Sequence, residues 1–474
     1  MKKIIVLILS LSGIVFSSTF NLKYGGPEIE IGYDAAQTSD GGFIIAGITN
    51  SIGTEIGDYD GYLIKTDQNG IMEWEEMLPG QGVDSFIKVR QTSDGGYIVL
   101  GRNNFRILDE SNECFPWLVK YDDTGKLKWE DTYEELNADL NISDFIIADD
   151  EGFLVLGSKK TSISTCDAWL MKTDSHGRKI WEKVYDSQDI DEGVSITRNF
   201  SGGYLLVCNS GDQVWAIHID QTGEIIQEGI INYSSDNKLC TSICATTDSS
   251  FVMTGYVNSG EQPPPPTFPP DPPVQFNQGC CILKFSSNLN TEWMRYYNVP
   301  DYNYLWINSI CNSNEDGFTF IGTNNNSLND LFITKVDNAG NFLWERFYGN
   351  SYDDQGTGNI IRSSDNSYVF CGMADLINNY PEVSSQVYLI KTDSDGYVIY
   401  PPVITSFEND SNNVSINWEA VSNAGSYIVY GSDRPDSNFT AIDTTAVNSW
   451  NTAQADSLNK KFYYIKASTD PVSK

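Results

Sequence analysis

Few side chains in this chain could do covalent or metal chemistry. Nine cysteines include the adjacent pair Cys280-Cys281 and the spaced pair Cys240-x3-Cys244, and thiolates in such pairs bind zinc or form disulfides. The chain has two histidines, and neither completes a zinc pattern with these pairs. Cys244 stands where the repeat described below has an alanine. We therefore interpret most cysteines as core thiols and leave one or two disulfides open.

The histidines and the acidic side chains are the other candidates for catalysis. A Ser-His-Asp arrangement would have to use His176, in a hairpin turn, or His218, in place of a repeated lysine, and both positions favour a structural role. Paired carboxylates hydrolyse glycosides, but none of the 64 acidic residues stands apart. Calcium loops are present only as fragments such as Asp393-x-Asp395-Gly396. The sequence predicts no catalytic residue, no metal site and no cofactor.

Aromatic side chains are the better candidates for ligand binding, because they stack on sugar rings. Residues 262–273 are rich in proline and predict an extended loop around Phe268, either a stiff exposed insert or a docking element. Tyr302, Tyr304 and Trp306 follow in an aromatic-rich segment. These four residues are our predicted binding candidates.

A unit of about 50 residues positions these side chains, and it recurs seven times. Its core is a Lys or His, an Asp two residues later, a Gly five residues later and a Trp nine residues later. The copies that keep all four residues are Lys65-Asp67-Gly70-Trp74, Lys120-Asp122-Gly125-Trp129, Lys172-Asp174-Gly177-Trp181 and Lys335-Asp337-Gly340-Trp344. The copies at His218, Lys284 and Lys391 are altered at one or more positions.

Each unit predicts four β-strands. Asp40-Gly41-Gly42 before an apolar run marks one hairpin, and Asp67-x-x-Gly70 marks a second. Four-stranded units repeated around a ring are the blades of a β-propeller, so we predict a seven-bladed propeller over residues 19–400. The connection between the second and third strands varies most in length. It lies on the face of the blade crossovers, and on this variable face we expect the ligand to bind.

Residues 19–25 look like an outer strand that lacks its own blade, because they match residues 343–349 of a complete unit. We predict that this strand completes the seventh blade and so removes two exposed sheet edges. Tyr400 competes for the same place. Pro401-Pro402 follows it directly and cannot donate sheet hydrogen bonds, which favours the N-terminal strand.

The two ends of the chain differ from the repeat. Residues 1–18 combine Lys2-Lys3 with a short apolar run and small residues, which predicts a secretory signal peptide and a protein that is secreted or held in the bacterial envelope or at the cell surface. Residues 401–474 contain short β-runs around Trp418, Tyr427 and 462–464. This pattern resembles a fibronectin type III domain, a small β-sandwich.

The charge limits the partners. With 64 Asp and Glu against 30 Lys and Arg, the net charge of −34 disfavours nucleic acid and anionic membranes. No segment of the mature chain is apolar enough to predict a membrane span. The expected partner is an extracellular glycan or protein, and the expected state is a monomer.

The repeat resembles those of secreted bacterial β-propeller proteins of the quinoprotein-like superfamily. Asp122-x-Thr124-Gly125-Lys126-x-x-Trp129 is similar to the tryptophan-docking turn of that superfamily, with one residue fewer between Asp and Gly. The resemblance covers residues 19–400 and implies a fold more than an activity. We expect a non-catalytic binding or adhesion protein. The alternatives are a propeller hydrolase of polysaccharides and, with less support, a quinoprotein-type oxidoreductase, which the adjacent cysteines suggest.

Overall fold

The computed structural model describes residues 19–51, 59–79, 83–105, 115–133, 140–161, 165–199, 202–231, 237–258, 278–297, 305–313, 317–325, 329–349, 353–379, 382–398, 402, 404–409, 414–421, 424–432, 440–452 and 462–468. Within these ranges the regular structure is entirely β, with thirty-five strands. No helix among these residues is long and apolar enough to cross a membrane.

Most of the strands form antiparallel sheets of four that are consecutive in the chain. β1 (Phe20–Tyr24) precedes them. The first sheets are β2 (Glu30–Gln37), β3 (Phe43–Thr49), β4 (Asp60–Thr66) and β5 (Met72–Leu78); β6 (Val83–Gln91), β7 (Tyr97–Phe105), β8 (Phe115–Tyr121) and β9 (Leu127–Thr132); and β10 (Leu140–Ile147), β11 (Phe153–Lys160), β12 (Cys166–Thr173) and β13 (Lys179–Tyr185). The next are β14 (Asp191–Arg198), β15 (Tyr204–Ser210), β16 (Gln213–Ile219) and β17 (Ile225–Ile230); β18 (Asn237–Ala245), β19 (Ser250–Asn258), β20 (Gln278–Ser286) and β21 (Thr291–Tyr297); and β22 (Leu305–Asn312), β23 (Phe318–Asn325), β24 (Asn329–Val336) and β25 (Phe342–Tyr348).

A further sheet combines the N-terminal strand with strands late in the repeat region. Its members are β26 (Asp353–Gln355), β27 (Ile360–Arg362), β28 (Tyr368–Asn379) and β29 (Glu382–Lys391), and their order is β1-β29-β28-β26 with β27 also paired to β28. The prediction that the N-terminal strand pairs with this last sheet is confirmed.

The first strands of successive sheets contact one another. β2 contacts β6, β6 contacts β10, and the series continues through β14, β18 and β22 to β27, which in turn contacts β2. The burial follows this order, because β3 and β4 are fully buried while the fourth strand β5 is largely exposed. Repeated four-stranded sheets packed through their innermost strands are the architecture of a β-propeller.

The nine-residue step of the repeat is explained by strand register. Lys65 on β4 lies directly opposite Trp74 on β5, and Lys120 and Trp129 pair in the same way. Asp67 in the connecting turn accepts hydrogen bonds from the backbone N–H groups of Asn69 and Ile71, each at 2.8 Å, as expected for an aspartate that stabilises a hairpin turn.

The tryptophan and the glycine of the unit meet between neighbouring sheets. A Cβ atom placed on Gly125 would lie 2.9 Å from the indole ring of Trp74 on the preceding sheet. Trp129 has the same relation to Gly177, and Trp293 to Gly340. The tryptophans therefore pack between sheets, and the glycine is required because no larger residue leaves room for the ring.

The repeated lysine has a structural role that the sequence did not reveal. The Lys65 side chain is 2% exposed, and its Nζ contacts Asp40 Oδ2 at 2.8 Å and Glu73 Oε2 at 2.9 Å. Asp40 belongs to the first hairpin turn, so the ion pair fastens this turn to the third strand. Equivalent pairs join Lys120 to Asp94, Lys172 to Asp150 and Lys284 to Asp248.

Two compact units divide the chain, residues 22–390 and a second unit that includes the C-terminal strands. The C-terminal strands are β30 (Ile404–Asn409), β31 (Val414–Trp418), β32 (Ser426–Ser432), β33 (Thr440–Thr445), β34 (Ser449–Thr452) and β35 (Phe462–Ser468). They form two three-stranded sheets, β30-β31-β34 and β33-β32-β35. The buried side chains of both sheets, including Trp418, Tyr427 and Trp450, share one hydrophobic core. This is a small β-sandwich.

Candidate binding site

A cavity of about 630 Å³ lies where several of the innermost strands end. Its walls come from the last residues of β2, β18, β22 and β27 and from the turn after β27. The polar and thiol side chains that line it are Gln37, Cys244, Cys311, Asn312, Arg362, Ser363, Ser364 and Asn366. A volume of this size is typical of small-molecule sites in proteins.

Arg362 is the principal charged group of this cavity. It is the last residue of β27, and its Nε and Nη1 atoms are buried without a hydrogen-bond partner among the described residues. A donor nitrogen that is buried without an acceptor is costly, because it has lost water and gained nothing in exchange. The arrangement therefore favours an anionic group placed against Arg362.

Arg198 shows what a satisfied arginine looks like at the same position of another unit, the last residue of the first strand. Its Nη1 forms an ion pair with Asp149, and its Nη2 donates a 2.8 Å hydrogen bond to the carbonyl oxygen of Ile147. Its side chain is also largely exposed. The unsatisfied donors of Arg362 are thus a local feature and do not follow from the repeat.

Hydrogen bonds between sheets hold the walls of the cavity. The Ser364 backbone N–H donates to Gln37 Oε1 at 2.8 Å, and the Asn312 side chain donates to the carbonyl oxygen of Ala245 at 3.3 Å. Within the turn after β27, Ser363 Oγ donates to the carbonyl oxygen of Ser367 at 3.1 Å. The site is therefore built largely before any ligand arrives, which reduces the entropic cost of binding.

The cavity thiols are poor nucleophiles. Burial raises the pKa of Cys311 to about 12, although the positive charges of Arg362 and Lys335 oppose the shift. Burial also raises the pKa of Cys244, and the neighbouring Cys311 adds to this shift. Because the thiolate is the reactive form, neither group is suited to covalent catalysis near neutral pH. The cavity can bind an anion through charge and hydrogen bonds.

Three of the four aromatic residues predicted to bind ligand, Phe268, Tyr302 and Tyr304, lie outside the described residues. Trp306 is described, with a relative exposure of 43%, and its ring centroid lies 5.3 Å from that of the buried Tyr256. Tyr296 nearby is 52% exposed. Trp306 and Asn312 occupy opposite ends of β22, about 20 Å apart at the usual strand rise. The structure does not bring Trp306 into the cavity.

Sequence reasoning missed Arg362 because it looked for sites only where the repeat fails in length. The type of residue at this position could have revealed it. Gln37 and Gln91 are the last residues before the first hairpin turn in their units. Arg362 holds the same position in a later unit, and its own strand β27 has no acidic residue.

The other residues considered for chemistry have structural surroundings. Cys280 and Cys281 are buried thiols in β20, and burial raises the pKa of Cys280 well above its usual range. His218 is buried, with Nε2 at 2.9 Å from the carbonyl oxygen of Gly202. Among the described residues, one group of three carboxylates lies close enough together to hold a metal ion, and it is separate from the cavity.

Comparisons with known proteins give no family. No family model matches the chain, and no curated protein matches it. Similar solved structures include Raptor from Chaetomium thermophilum (7% identity, TM-score 0.48, 79% of this chain and 29% of that one) and YCF48 bound to D1 peptide (11% identity, TM-score 0.45, 82% and 99%). Drosophila Semaphorin 1a, extracellular domains 1-2, is similar at 10% identity and a TM-score of 0.44, over 78% of this chain and 87% of that one. The chain spans less than a third of the length of Raptor. Since all three scores are below 0.5, the propeller assignment depends on the four-stranded sheets of this chain itself.

Proposed function

We propose that this chain is a non-catalytic extracellular or envelope binding protein whose propeller recognises a glycan that carries carboxylate groups. The observation that carries the proposal is Arg362, whose half-buried side chain lines a cavity of about 630 Å³ and has two nitrogens without a hydrogen-bond partner among the described residues. A carboxylate is planar and accepts two parallel N–H bonds, which matches the fork of an arginine side chain.

The charge of the chain supports an anion at this one place. The net charge is −34, so the surface as a whole repels anionic polymers, and a local cation is needed to accept one. Arg362 supplies it at the cavity. The hydroxyl and amide groups of Gln37, Asn312, Ser364 and Asn366 lie around it and are suited to the hydroxyl groups of sugars.

The aromatic residues of the variable face supply a second contact region for the same class of ligand. Trp306 and Tyr296 expose ring surface on which sugar rings can stack. The sequence predicts Phe268, Tyr302 and Tyr304 as further ligand contacts, and they lie outside the described residues. The cavity and Trp306 lie at opposite ends of β22, so these are separate contact regions: the cavity is on the face of the first hairpin turns and Trp306 is on the variable face.

We further propose that the propeller has seven blades and is closed by β1, and that the C-terminal sandwich is a fibronectin type III domain. Hydrogen bonds between β2 and the residues before β27 support closure: Asn359 Oδ1 accepts from the Ala35 N–H at 2.8 Å, and Thr357 Oγ1 donates to the carbonyl oxygen of Gly32 at 2.8 Å. The proposed mature chain is a secreted monomer without the signal peptide of residues 1–18. Mass spectrometry of the exported chain and its sedimentation test this.

The binding proposal is tested by a glycan array in which each uronate-containing glycan is paired with its neutral counterpart. We expect the mature chain to bind the charged member, and Arg362→Met to weaken binding about 10- to 100-fold, the usual worth of a hydrogen-bonded charge. Arg198→Met is the matched control, since it removes the same charge where the arginine is already paired; it should bind like the wild type.

Other outcomes overturn the proposal. Equal binding by Arg362→Met and the wild type would show that the ligand does not bind in the cavity. Binding only to proteins would make the chain a protein receptor, and shortening of a polysaccharide by the wild type would favour the hydrolase alternative.

A further inference from the structure

Three aspartates converge at one crossover between sheets, far from Arg362 in sequence. Asp167 is the second residue of β12, Asp186 follows the last residue of β13, and Asp191 begins β14. One carboxylate oxygen from each residue lies within 4.8 Å of those of the other two. The cluster thus joins the sheet β10–β13 to the sheet β14–β17.

The burial of these carboxylates makes their proximity costly. Asp191 is fully buried and Asp167 is 9% exposed, while Asp186 is exposed. Among the described residues no Lys or Arg forms an ion pair with any of the three. Like charges at this separation repel each other, and in a buried setting the repulsion is poorly screened.

Asp167 adds a second observation that points to a ligand. The residue is 9% exposed, one of its carboxylate oxygens lies in the cluster, and no described residue donates a hydrogen bond to its carboxylate. Buried ionised groups are normally paired or bound to a metal. Among the described residues this carboxylate has no hydrogen-bond donor at the place where two other carboxylates meet it.

The loop before β14 fixes the other two acids. Asp191 accepts hydrogen bonds from Ser187, at 2.7 Å from its backbone N–H and at 2.6 Å from its Oγ. Ser187 Oγ also lies 2.7 Å from Ser210 Oγ, and Asp186 accepts from the Gln188 N–H at 2.6 Å. The site therefore offers several oxygen atoms and no nitrogen or sulfur.

The repeat shows which of these acids is unusual. Asp167 and Asp191 correspond to Asp60 and Asp84 in an earlier unit and to Asp330 and Asp354 in a later one, counted from the repeated Lys and Trp. The position of Asp186 is Pro79 in the former and Gly349 in the latter. All three units thus have two acids at this crossover. The third acid, Asp186, is present in only one of the three.

We propose that Asp167, Asp186 and Asp191 bind a divalent cation of the calcium type, which links the two sheets. Ca²⁺ prefers carboxylate and other oxygen ligands in sites without strict geometry, and its charge would offset the three carboxylates. The exposed Asp186 provides the path of entry. The sequence alone predicted no metal site, because the acids come from three separate strand ends and form no contiguous loop motif.

The test measures Ca²⁺ binding by the mature chain after chelator treatment and dialysis, using calorimetry and thermal melting. We expect one saturable site and a higher melting temperature with CaCl₂, because a ligand that binds only the folded state stabilises it. Asp167→Asn should abolish this increase, and its melting temperature in chelator should equal or exceed that of the wild type, since one repelling charge is gone.

Two further variants keep the test decisive. Asp186→Asn changes an exposed residue that is not part of a core, and should weaken Ca²⁺ binding about tenfold or more even if Asp167→Asn does not fold. Asp189→Asn removes an exposed charge from the same loop but outside the cluster, and should respond to Ca²⁺ like the wild type. If Asp186→Asn and Asp189→Asn bind equally, or if the wild type has no saturable site, the proposal is wrong.

Discussion

The hydroxyl group of Tyr24 donates a 2.6 Å hydrogen bond to the carbonyl oxygen of Gly70. Tyr185 makes the same bond to Gly223 at 2.9 Å, and Tyr133 and Tyr297 do so to Gly177 and Gly340. In each of these other cases the tyrosine stands four residues after the repeated tryptophan, on or next to the fourth strand, and binds the glycine of the next sheet. β1 therefore docks on the sheet β2–β5 as a fourth strand does on its neighbour.

Because Tyr24 and Tyr185 make equivalent hydrogen bonds, removing either hydroxyl group should have the same effect on stability. Tyr24→Phe and Tyr185→Phe should each lower the free energy of unfolding by about 1 kcal/mol, because each leaves a carbonyl group without its donor. Chemical denaturation followed by tryptophan fluorescence measures both. A much smaller effect for Tyr24→Phe would mean that β1 is not held as the other fourth strands are.

Deletion of residues 18–25 is the stronger form of the same test. It removes the buried Phe20 and Tyr24 and exposes the edge of β29, so we expect a sharply lower melting temperature than in either point variant. An unchanged melting temperature would contradict closure of the propeller by this strand.

Replacing two glycines by alanine, one at a time, separates the cost of backbone strain from the cost of steric crowding. Gly95 and Gly125 both have φ of +84°, but the nearest atom to an added Cβ lies 3.9 Å away at Gly95 and 2.9 Å away, in the Trp74 ring, at Gly125. Gly95→Ala should cost about 1 kcal/mol of stability, the strain term alone. Gly125→Ala should cost about 1–3 kcal/mol more, because the indole ring must move. Equal losses of stability in the two variants would show that the Trp74 ring moves aside at no energetic cost.

Acid should weaken the ion pairs of the first hairpin turns. Burial alone would raise the pKa of Asp94, but hydrogen bonds from Thr92 and Lys120 outweigh it and lower the pKa to about 2. Because the pKa of Asp94 is lower in the folded state than in the unfolded state, its ionised carboxylate stabilises the fold at pH values above about 4, the pKa of an aspartate in the unfolded chain. This stabilisation is lost as the pH falls toward 2. We expect Asp94→Asn to melt at a lower temperature than the wild type at pH 6 and at nearly the same temperature at pH 2.

Melting curves of both proteins across this pH range check the prediction. Asp123→Asn is the control, since Asp123 lies in the second hairpin of the same sheet and forms no ion pair with Lys120. A constant gap between Asp94→Asn and the wild type from pH 6 to pH 2 would count against the ion pair as its source.

Trp306 should matter for binding more than for folding. Trp306→Ala removes a ring that is 43% exposed and should weaken glycan binding by about 0.5–1.5 kcal/mol, the worth of an aromatic stacking contact. Phe342→Ala removes a similarly exposed ring from β25 and serves as the control. Titration against the glycan identified on the array measures both. Parallel losses in the two variants would argue against a specific role for Trp306.

The sequence predicted the elements that depend on local spacing. The step from Lys65 to Trp74 is set by one hairpin, and the turn chemistry of Asp67 is contained in four residues, so both were readable without a structure. The partner of Lys65 was not, because Asp40 lies 25 residues away and many acids compete for a lysine. Arg362 and Asp167 are harder still, since what distinguishes each is the absence of a partner among the described residues, which appears only when distant strands are brought together.

Pairing of β1 with β29 has a consequence for how the chain reaches its folded state. Lys23 on β1 forms an ion pair with Asp375 on β28, across 352 residues of chain. β1 therefore waits for its partner during synthesis, since its neighbour β29 is made only when synthesis nears residue 391. Contacts this far apart slow folding, and until they form, the free edges of the first and last sheets can pair with other chains. Export of the chain before folding would postpone this hazard, and a chaperone that covers residues 20–24 would reduce it.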